Sequence, residues 1–176
     1  LIENQMKIRI DPKSNPTWFE QYIKKSNGLV SYGDDPITGL KAVKNPVELK
    51  GTRNAHVRDG VAFARFLHWF DNNAPMEKLD EITVADKLKT FREEGALFKD
   101  LSFDTISGSG PNGAIVHYRV SPETNRTLKN GDLYLIDSGA QYLDGTTDIT
   151  RTLAVGDPGN ETRDRFTRVL KGHIAL

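Results

Sequence analysis

Apolar and polar residues alternate over Met6-Lys7-Ile8-Arg9-Ile10, the period-two spacing of a half-buried strand. Pro16 then opens a short helix in which Trp18, Phe19, Tyr22 and Ile23 share one stripe. From Ser26 to Val43 the chain is turn-rich, with Asn27-Gly28, Gly33-Asp34-Asp35-Pro36 and Gly39, and a boundary is expected near residue 40. Asn45-Pro46-Val47-Glu48 reads as a helix start, with an N-cap residue, Pro at N1 and Glu at N3. The predicted helix runs to about Asp71 and turns Val57, Val61, Phe66, Leu67 and Phe70 toward a core. Gly51 and Gly60 each weaken it by about 1 kcal/mol relative to Ala. A second helix is expected from Thr83, with Asp86 at N3, to near Gly95.

The texture then becomes β, in four stretches: Phe103 to Ile106, Ala114 to Tyr118, Leu133 to Asp137, and Thr146 to Val155. A last helical pattern puts Phe166, Val169, Leu170, His173 and Ile174 on one face and reaches Leu176 with no closing Gly, Asn or Pro. Helix, helix, strands, helix is the order of an α+β fold, not of alternating parallel βαβ units. The open-ended last helix, and a first Met only at position 6, suggest part of a longer protein whose core-facing surface is exposed or covered by another chain.

Composition narrows the function classes. The 176 residues carry 24 Lys+Arg against 24 Asp+Glu and no Cys. A balanced charge argues against nucleic-acid binding, which needs clustered excess cations. The absence of Cys removes disulfides, thiolate zinc ligands and thiol nucleophiles. No apolar run reaches the roughly 18 residues of a membrane span, and no signal peptide is visible, so a cytoplasmic protein without membrane contact is expected.

Gly108-Ser109-Gly110-Pro111-Asn112-Gly113 has the letters of a dinucleotide fingerprint. That motif needs a helix to begin at the glycines, so that its amides can hold a pyrophosphate. Strand-like sequence follows here instead, and the glycines read as a flexible turn. The carboxylates are more informative. Asp137 ends an apolar strand and Asp148 begins the next, 11 residues on. In an antiparallel hairpin with an even-numbered loop, residues an odd number apart share a face. The two acids face each other directly if the loop is centred between Tyr142 and Leu143, although the Asp144-Gly145 turn signal sits slightly later. Such a pair shares a proton or binds a cation, and suits a two-metal hydrolytic site with ions roughly 3.5 to 4 Å apart. Alternatively, Asp148 caps a turn and Asp137 pairs with Arg151 in the core. His117, between Val116 and Tyr118, reads as a catalyst or a structural residue; His56, His68 and His173 fall in helical patterns.

Several ordered segments together resemble the Xaa-Pro aminopeptidase (aminopeptidase P) family, in its long, three-domain cytosolic type. They are Gly110-Pro111-Asn112-Gly113-Ala114-Ile115-Val116-His117-Tyr118, Pro122-Glu123-Thr124-Asn125-Arg126-Thr127-Leu128, Tyr134-Leu135-Ile136-Asp137-Ser138-Gly139-Ala140-Gln141-Tyr142, and Asp144-Gly145-Thr146-Thr147-Asp148-Ile149-Thr150-Arg151-Thr152. The resemblance implies a pita-bread fold in residues 41–176, preceded over 1–40 by the end of a middle domain. It implies two divalent ions, manganese first and zinc or cobalt otherwise, with Asp137 and Asp148 among the ligands. His117 would bind substrate and stabilise the tetrahedral intermediate or shuttle a proton. Thr150 and Arg151 would orient ligands from behind. The substrate would be a peptide with proline in second position, the assembly a homodimer. The family's remaining ligands, one His and two Glu, have no match in this sequence, so these residues alone are expected to be inactive. The alternative is a non-catalytic pita-bread scaffold, whose relatives usually lose the metal carboxylates; a different chemistry on the same fold is opposed by the same two acids.

Overall fold

The structure, a computed structural model, describes residues 5–176; Leu1 to Asn4 lie outside it, and with them the first part of the expected 1–40 segment. The chain divides into two compact units, one ending at Pro46 and one spanning Val47–Leu176.

The first unit contains β1 (Lys7–Ile10), α1 (Thr17–Lys25), β2 (Leu29–Tyr32) and α2 (Pro36–Ala42). β1 and β2 pair in parallel, with α1 as the crossover between them. The stretch that reads as turns from Ser26 to Val43 therefore holds a strand and a helix. Leu29-Val30-Ser31-Tyr32 is only four residues between turn signals, too short for its period to show, and Asp35 caps α2 by accepting from Ile37 N at 2.9 Å. Of the α1 stripe only Ile23 is buried; Trp18 stacks on Tyr22 at 5.1 Å and both remain exposed.

The second unit begins with α3 (Pro46–Asn73) and α4 (Glu81–Glu93), followed by β3 (Phe98–Leu101), β4 (Ile106–Ser109), β5 (Leu133–Ser138), β6 (Ala140–Tyr142), β7 (Gly145–Thr146), β8 (Ile149–Ala154) and α5 (Gly159–Ala175). Its strands form two antiparallel sheets, ordered β3-β6-β7 and β4-β5-β8. The α+β architecture stands. α4 starts two residues earlier than predicted, because the Asp80 side chain, a stronger cap than a first-turn Thr, accepts from Thr83 N at 2.7 Å.

The core joins α3 and α4 to one face of β5: Phe63, Phe66, Phe70, Val84, Leu88, Tyr134 and Ile136. Phe70 stacks on Tyr134 at 5.2 Å. Val57 and Val61, predicted core residues, are 69% and 58% exposed. The buried stripe of α3 instead runs Gly51, Ala55, Asp59, Phe63, Phe66, Phe70, and its first half, made of small residues and a charge, carries no apolar signal. The expected strand over Ala114 to Tyr118 is absent: a 3-10 turn occupies Gly110–Ala114 and no α-helix follows until Gly159, which agrees with reading the glycines as a turn. Likewise Ser102 to Thr105 connects β3 and β4 and is not itself a strand. α5 lies over Leu133, Thr152 and Ala154, yet Phe166, Val169 and Ile174 are 50%, 74% and 74% exposed. An apolar face is thus open to solvent in the structure, as the sequence pattern anticipates.

Candidate metal centre

One hairpin carries both candidate carboxylates. Asp137 pairs with Thr150, Ser138 with Ile149, and further along Gln141 with Thr146 and Tyr142 with Gly145. Every pair belongs to a single register, which closes on the two-residue turn Leu143-Asp144. The hairpin is therefore centred one residue later than direct Asp137–Asp148 opposition requires. Asp148 sits two residues before Thr150, so it shares the face of Asp137 as a diagonal neighbour and does not stand opposite it.

Between the acids the hairpin passes from one sheet to the other: β5 and β8 pair beside β4, whereas β6 and β7 pair beside β3. Gly139 marks the crossing. A Cβ there would lie 2.0 Å from Thr147 O and 2.2 Å from Ser102 Oγ, so only glycine fits. Ser102 ties the crossing together, its N–H donating to Gly139 O at 3.0 Å and its hydroxyl to Thr147 O at 2.9 Å.

Asp137, Asp148 and His117 line one cleft of about 250 Å³, together with Phe103, Asp104, Ile106 and Arg119. Arg119 pairs with Asp104 at its edge. Asp137 is half-buried, and its Oδ1 is buried with no hydrogen-bond partner. An orphaned carboxylate oxygen is costly, and a cation in the cleft would satisfy it. The two carboxylates thus fit a divalent ion as part of a donor set. Among the described residues no three His, Cys, Asp or Glu side chains converge as a complete one. The Asp137–Arg151 core ion pair does not form: Arg151 lies across from Ile136, and its Nη1 donates to Thr150 O at 2.7 Å. Neither Thr150 nor Arg151 lines the cleft.

His117 is exposed on a turn with φ of 54°, a left-handed conformation uncommon for residues other than glycine. What holds that loop is Glu81, a buried residue with no signal in the sequence beyond its place in the first turn of α4. Its carboxylate accepts from Ser109 N at 2.7 Å, Asn112 Nδ2 at 3.0 Å, Tyr118 OH at 3.1 Å and Arg126 N at 3.1 Å. Burial, with the Glu81 charge adding to it, pushes the Tyr118 phenol upward and keeps it a donor.

A second buried polar cluster lies on the helix side of the hairpin. Asp59 of α3 and Arg92 of α4 are both fully buried and paired, Nε to Oδ1 at 2.7 Å and Nη2 to Oδ2 at 3.1 Å. Tyr142 OH donates to Asp59 Oδ1 at 3.0 Å and Thr147 Oγ1 to Asp59 Oδ2 at 3.0 Å. Arg92 Nη2 donates to Ser138 O at 3.3 Å, and Nη1 to the Ser138 hydroxyl. Burial and the nearby Asp59 charge raise the Tyr142 phenol well above its usual range.

Residues 50–176 match metallopeptidase family M24. The chain is 49% identical over 173 residues to a Drosophila melanogaster protein named as an Xaa-Pro aminopeptidase, covering 98% of this chain and 28% of that protein. To aminopeptidase P2 of Arabidopsis thaliana it is 51% identical over 156 residues, 88% of this chain and 22% of that one. The chain thus spans about a quarter of the length of the curated relatives it matches. Among solved structures it resembles the X-prolyl aminopeptidase of Caenorhabditis elegans, described as a cytosolic enzyme with a di-nuclear active site. That match has a TM-score of 0.75 and 29% identity over 97% of this chain and 36% of that one. The prolidase of Pyrococcus furiosus gives a TM-score of 0.73 at 27% identity, over 96% of this chain and 48% of that one.

Proposed function

This chain belongs to metallopeptidase family M24, and on that premise we propose that it supplies part of the active site of an Xaa-Pro aminopeptidase. Such an enzyme removes the first residue from peptides with proline in second position. The observation that carries the reading is the cleft that Asp137 lines together with Asp148 and His117, Asp137 keeping one buried carboxylate oxygen without a protein partner.

Asp137 and Asp148 would hold the divalent ions, manganese first, in company with ligands from the remainder of the protein; two carboxylates alone make a weak site. Bound there, the ions would polarise the scissile carbonyl and activate the attacking water. His117 holds the peptide carbonyl or passes a proton to the leaving nitrogen, from a turn fixed on one side by Glu81 through Tyr118. Thr150 steadies Asp137 from the neighbouring strand, and Arg151 acts only through the backbone of Thr150. Residues 1–40 belong with a middle domain, and the protein works as a homodimer in the cytoplasm. No described helix is long and apolar enough to cross a membrane.

The test uses the native-length protein with an Xaa-Pro tripeptide and its Xaa-Ala counterpart. Release of the first residue from the proline peptide, abolished by a chelator and restored by Mn²⁺, is the expected result. A folded protein that binds Mn²⁺ but releases nothing would overturn the peptidase reading and leave the non-catalytic scaffold.

A further inference from the structure

Strand alternation puts Asp137 and Asp148 on the open face of the hairpin and their immediate neighbours, Ser138 and Thr147, on the face buried against α3 and α4. Each neighbour is seized there by one member of the same ion pair. Asp59 Oδ2 accepts from Thr147 Oγ1 at 3.0 Å, and Arg92 Nη2 donates to Ser138 O at 3.3 Å. The clamp is closed further by Thr105 Oγ1, 2.9 Å from Ser138 Oγ, and by Ala140 N, which donates to Thr147 Oγ1 at 3.0 Å.

Charges buried to this depth are expensive. Replacing such a pair with apolar residues is often neutral or stabilising, so stability alone does not account for one here. Geometry points to another use. The hairpin changes sheets at Gly139, where the regular ladder between β5 and β8 gives out, and this is the stretch that separates the two acids. A ladder break leaves the backbone free to twist, and a diagonal carboxylate pair keeps its spacing only if both flanks of the break are held. The Asp59–Arg92 pair reaches both flanks at once, from two different helices.

We infer that the buried Asp59–Arg92 pair is a positioning device for the metal ligands: through Thr147 and Ser138 it fixes the separation and aim of Asp148 and Asp137. The inference rests on the metal-site reading above and adds the residues that preorganise it. Asp59 and Arg92 touch neither ion nor substrate. They act through the backbone, as outer partners of metal ligands commonly do, and losing such partners typically costs about 10- to 100-fold in metal affinity.

The experiment measures Mn²⁺ affinity by titration calorimetry on the native-length protein, well below its melting temperature, and the melting temperature of the metal-free form. Thr147→Val removes the hydroxyl but keeps the shape, Thr147→Ser restores the hydroxyl, and Leu88→Val loosens the core without touching the network. Thr147→Val is expected to weaken Mn²⁺ binding about tenfold, with Thr147→Ser within about twofold of wild type. Leu88→Val should lower the melting temperature and leave the affinity alone. If Thr147→Val melts lower but binds Mn²⁺ as wild type does, the network is structural and the inference falls. Should Thr147→Val not fold, Arg92→Lys, which keeps the charge but loses the fork that reaches both Ser138 O and its hydroxyl, tests the other flank by the same readout, weaker binding supporting the inference and unchanged binding overturning it. A wild-type protein that binds no Mn²⁺ would overturn the metal-site reading, and this inference with it.

Discussion

The carbonyl oxygen of Asp144, at the tip of the hairpin, lies 2.2 Å from where a Cβ on Gly51 would stand. The hairpin turn therefore rests on α3 through a glycine in the second turn of the helix, inside its hydrogen-bonded stretch, where glycine is otherwise a liability. On the other side of the contact, a Cβ on Gly145 would lie 2.9 Å from Ala55 Cβ. Arg58 completes the seat by pairing with Asp144 and lying over the Tyr142 ring at 5.1 Å. Gly51→Ala must push the turn off the helix and is expected to cost about 1–3 kcal/mol. Gly60, with nothing within 4 Å of its would-be Cβ, should do the reverse. Gly60→Ala is expected to stabilise by up to about 1 kcal/mol. Melting temperatures of the two variants, measured together, should move in opposite directions.

Asp80 holds the start of α4, and burial, which opposes its charge, is outweighed by hydrogen bonds from Thr83, so its carboxyl sits below the usual value. A depressed carboxyl contributes stability above its unfolded value, near 4, and loses it as pH falls through the folded one. Asp80→Ala should cost about 1 kcal/mol at neutral pH. Its deficit against wild type should shrink as unfolding is measured below about pH 4.

Glu81→Ala would leave Ser109 N, Asn112, Tyr118 and Arg126 N without their shared acceptor. A loss of about 2–3 kcal/mol is expected, since Ser109 N and Arg126 N go unpaired together, while Asn112 and Tyr118 keep Thr124. Hydrogen exchange over the loop from Gly110 to Arg126 should quicken more than exchange in α3, which tells a loosened loop from general unfolding.

Asp137→Asn separates chemistry from stability. The side chain's buried Oδ1 has no partner within the protein, so the metal-free fold gives up little with the charge. Its melting temperature should hold, because no hydrogen bond of the buried oxygen is lost. Peptidase activity of the native-length protein should fall at least about 100-fold, more than loss of an outer-shell partner costs. A comparable fall in both quantities would place Asp137 in the fold and not in the chemistry.

The parts of the fold that were legible have local causes. Pro46 at N1 starts α3, and the shared face of Asp137 and Asp148 follows from odd spacing on a hairpin. The hairpin is centred between the point that direct opposition of the acids requires and the Asp144-Gly145 turn signal, because the turn is Leu143-Asp144 and Gly145 serves as the point of contact with α3. What stayed hidden depends on distant partners. Asp59, Glu81 and Arg92 look like solvated helix charges; the packing of α3 and α4 over the hairpin buries Asp59 and Arg92, Asp59 meeting Thr147 88 residues away, and the loop from Ser109 to Arg126 closes over Glu81. The false strand at Ala114 to Tyr118 has the same origin: Ile115 and Val116 are exposed, and the loop's shape comes from Glu81 and not from its own propensity.

The alternation along β5 has a consequence for how the gene tolerates change. Tyr134, Ile136 and Ser138 face α3 and α4, while Leu133, Leu135 and Asp137 face the other side, where α5 lies over Leu133 and Asp137 lines the cleft. Beside the cleft, point substitutions should therefore sort by the parity of the position, those at 136 showing up as heat-sensitive protein and those at 137 as protein that folds but works poorly. Deleting one residue within the strand would swap the two classes at a stroke, driving a carboxylate against Phe70 and turning an isoleucine out into the cleft. Here a change of length is far more damaging than a change of letter, and natural variants of this strand should differ in spelling but never in count.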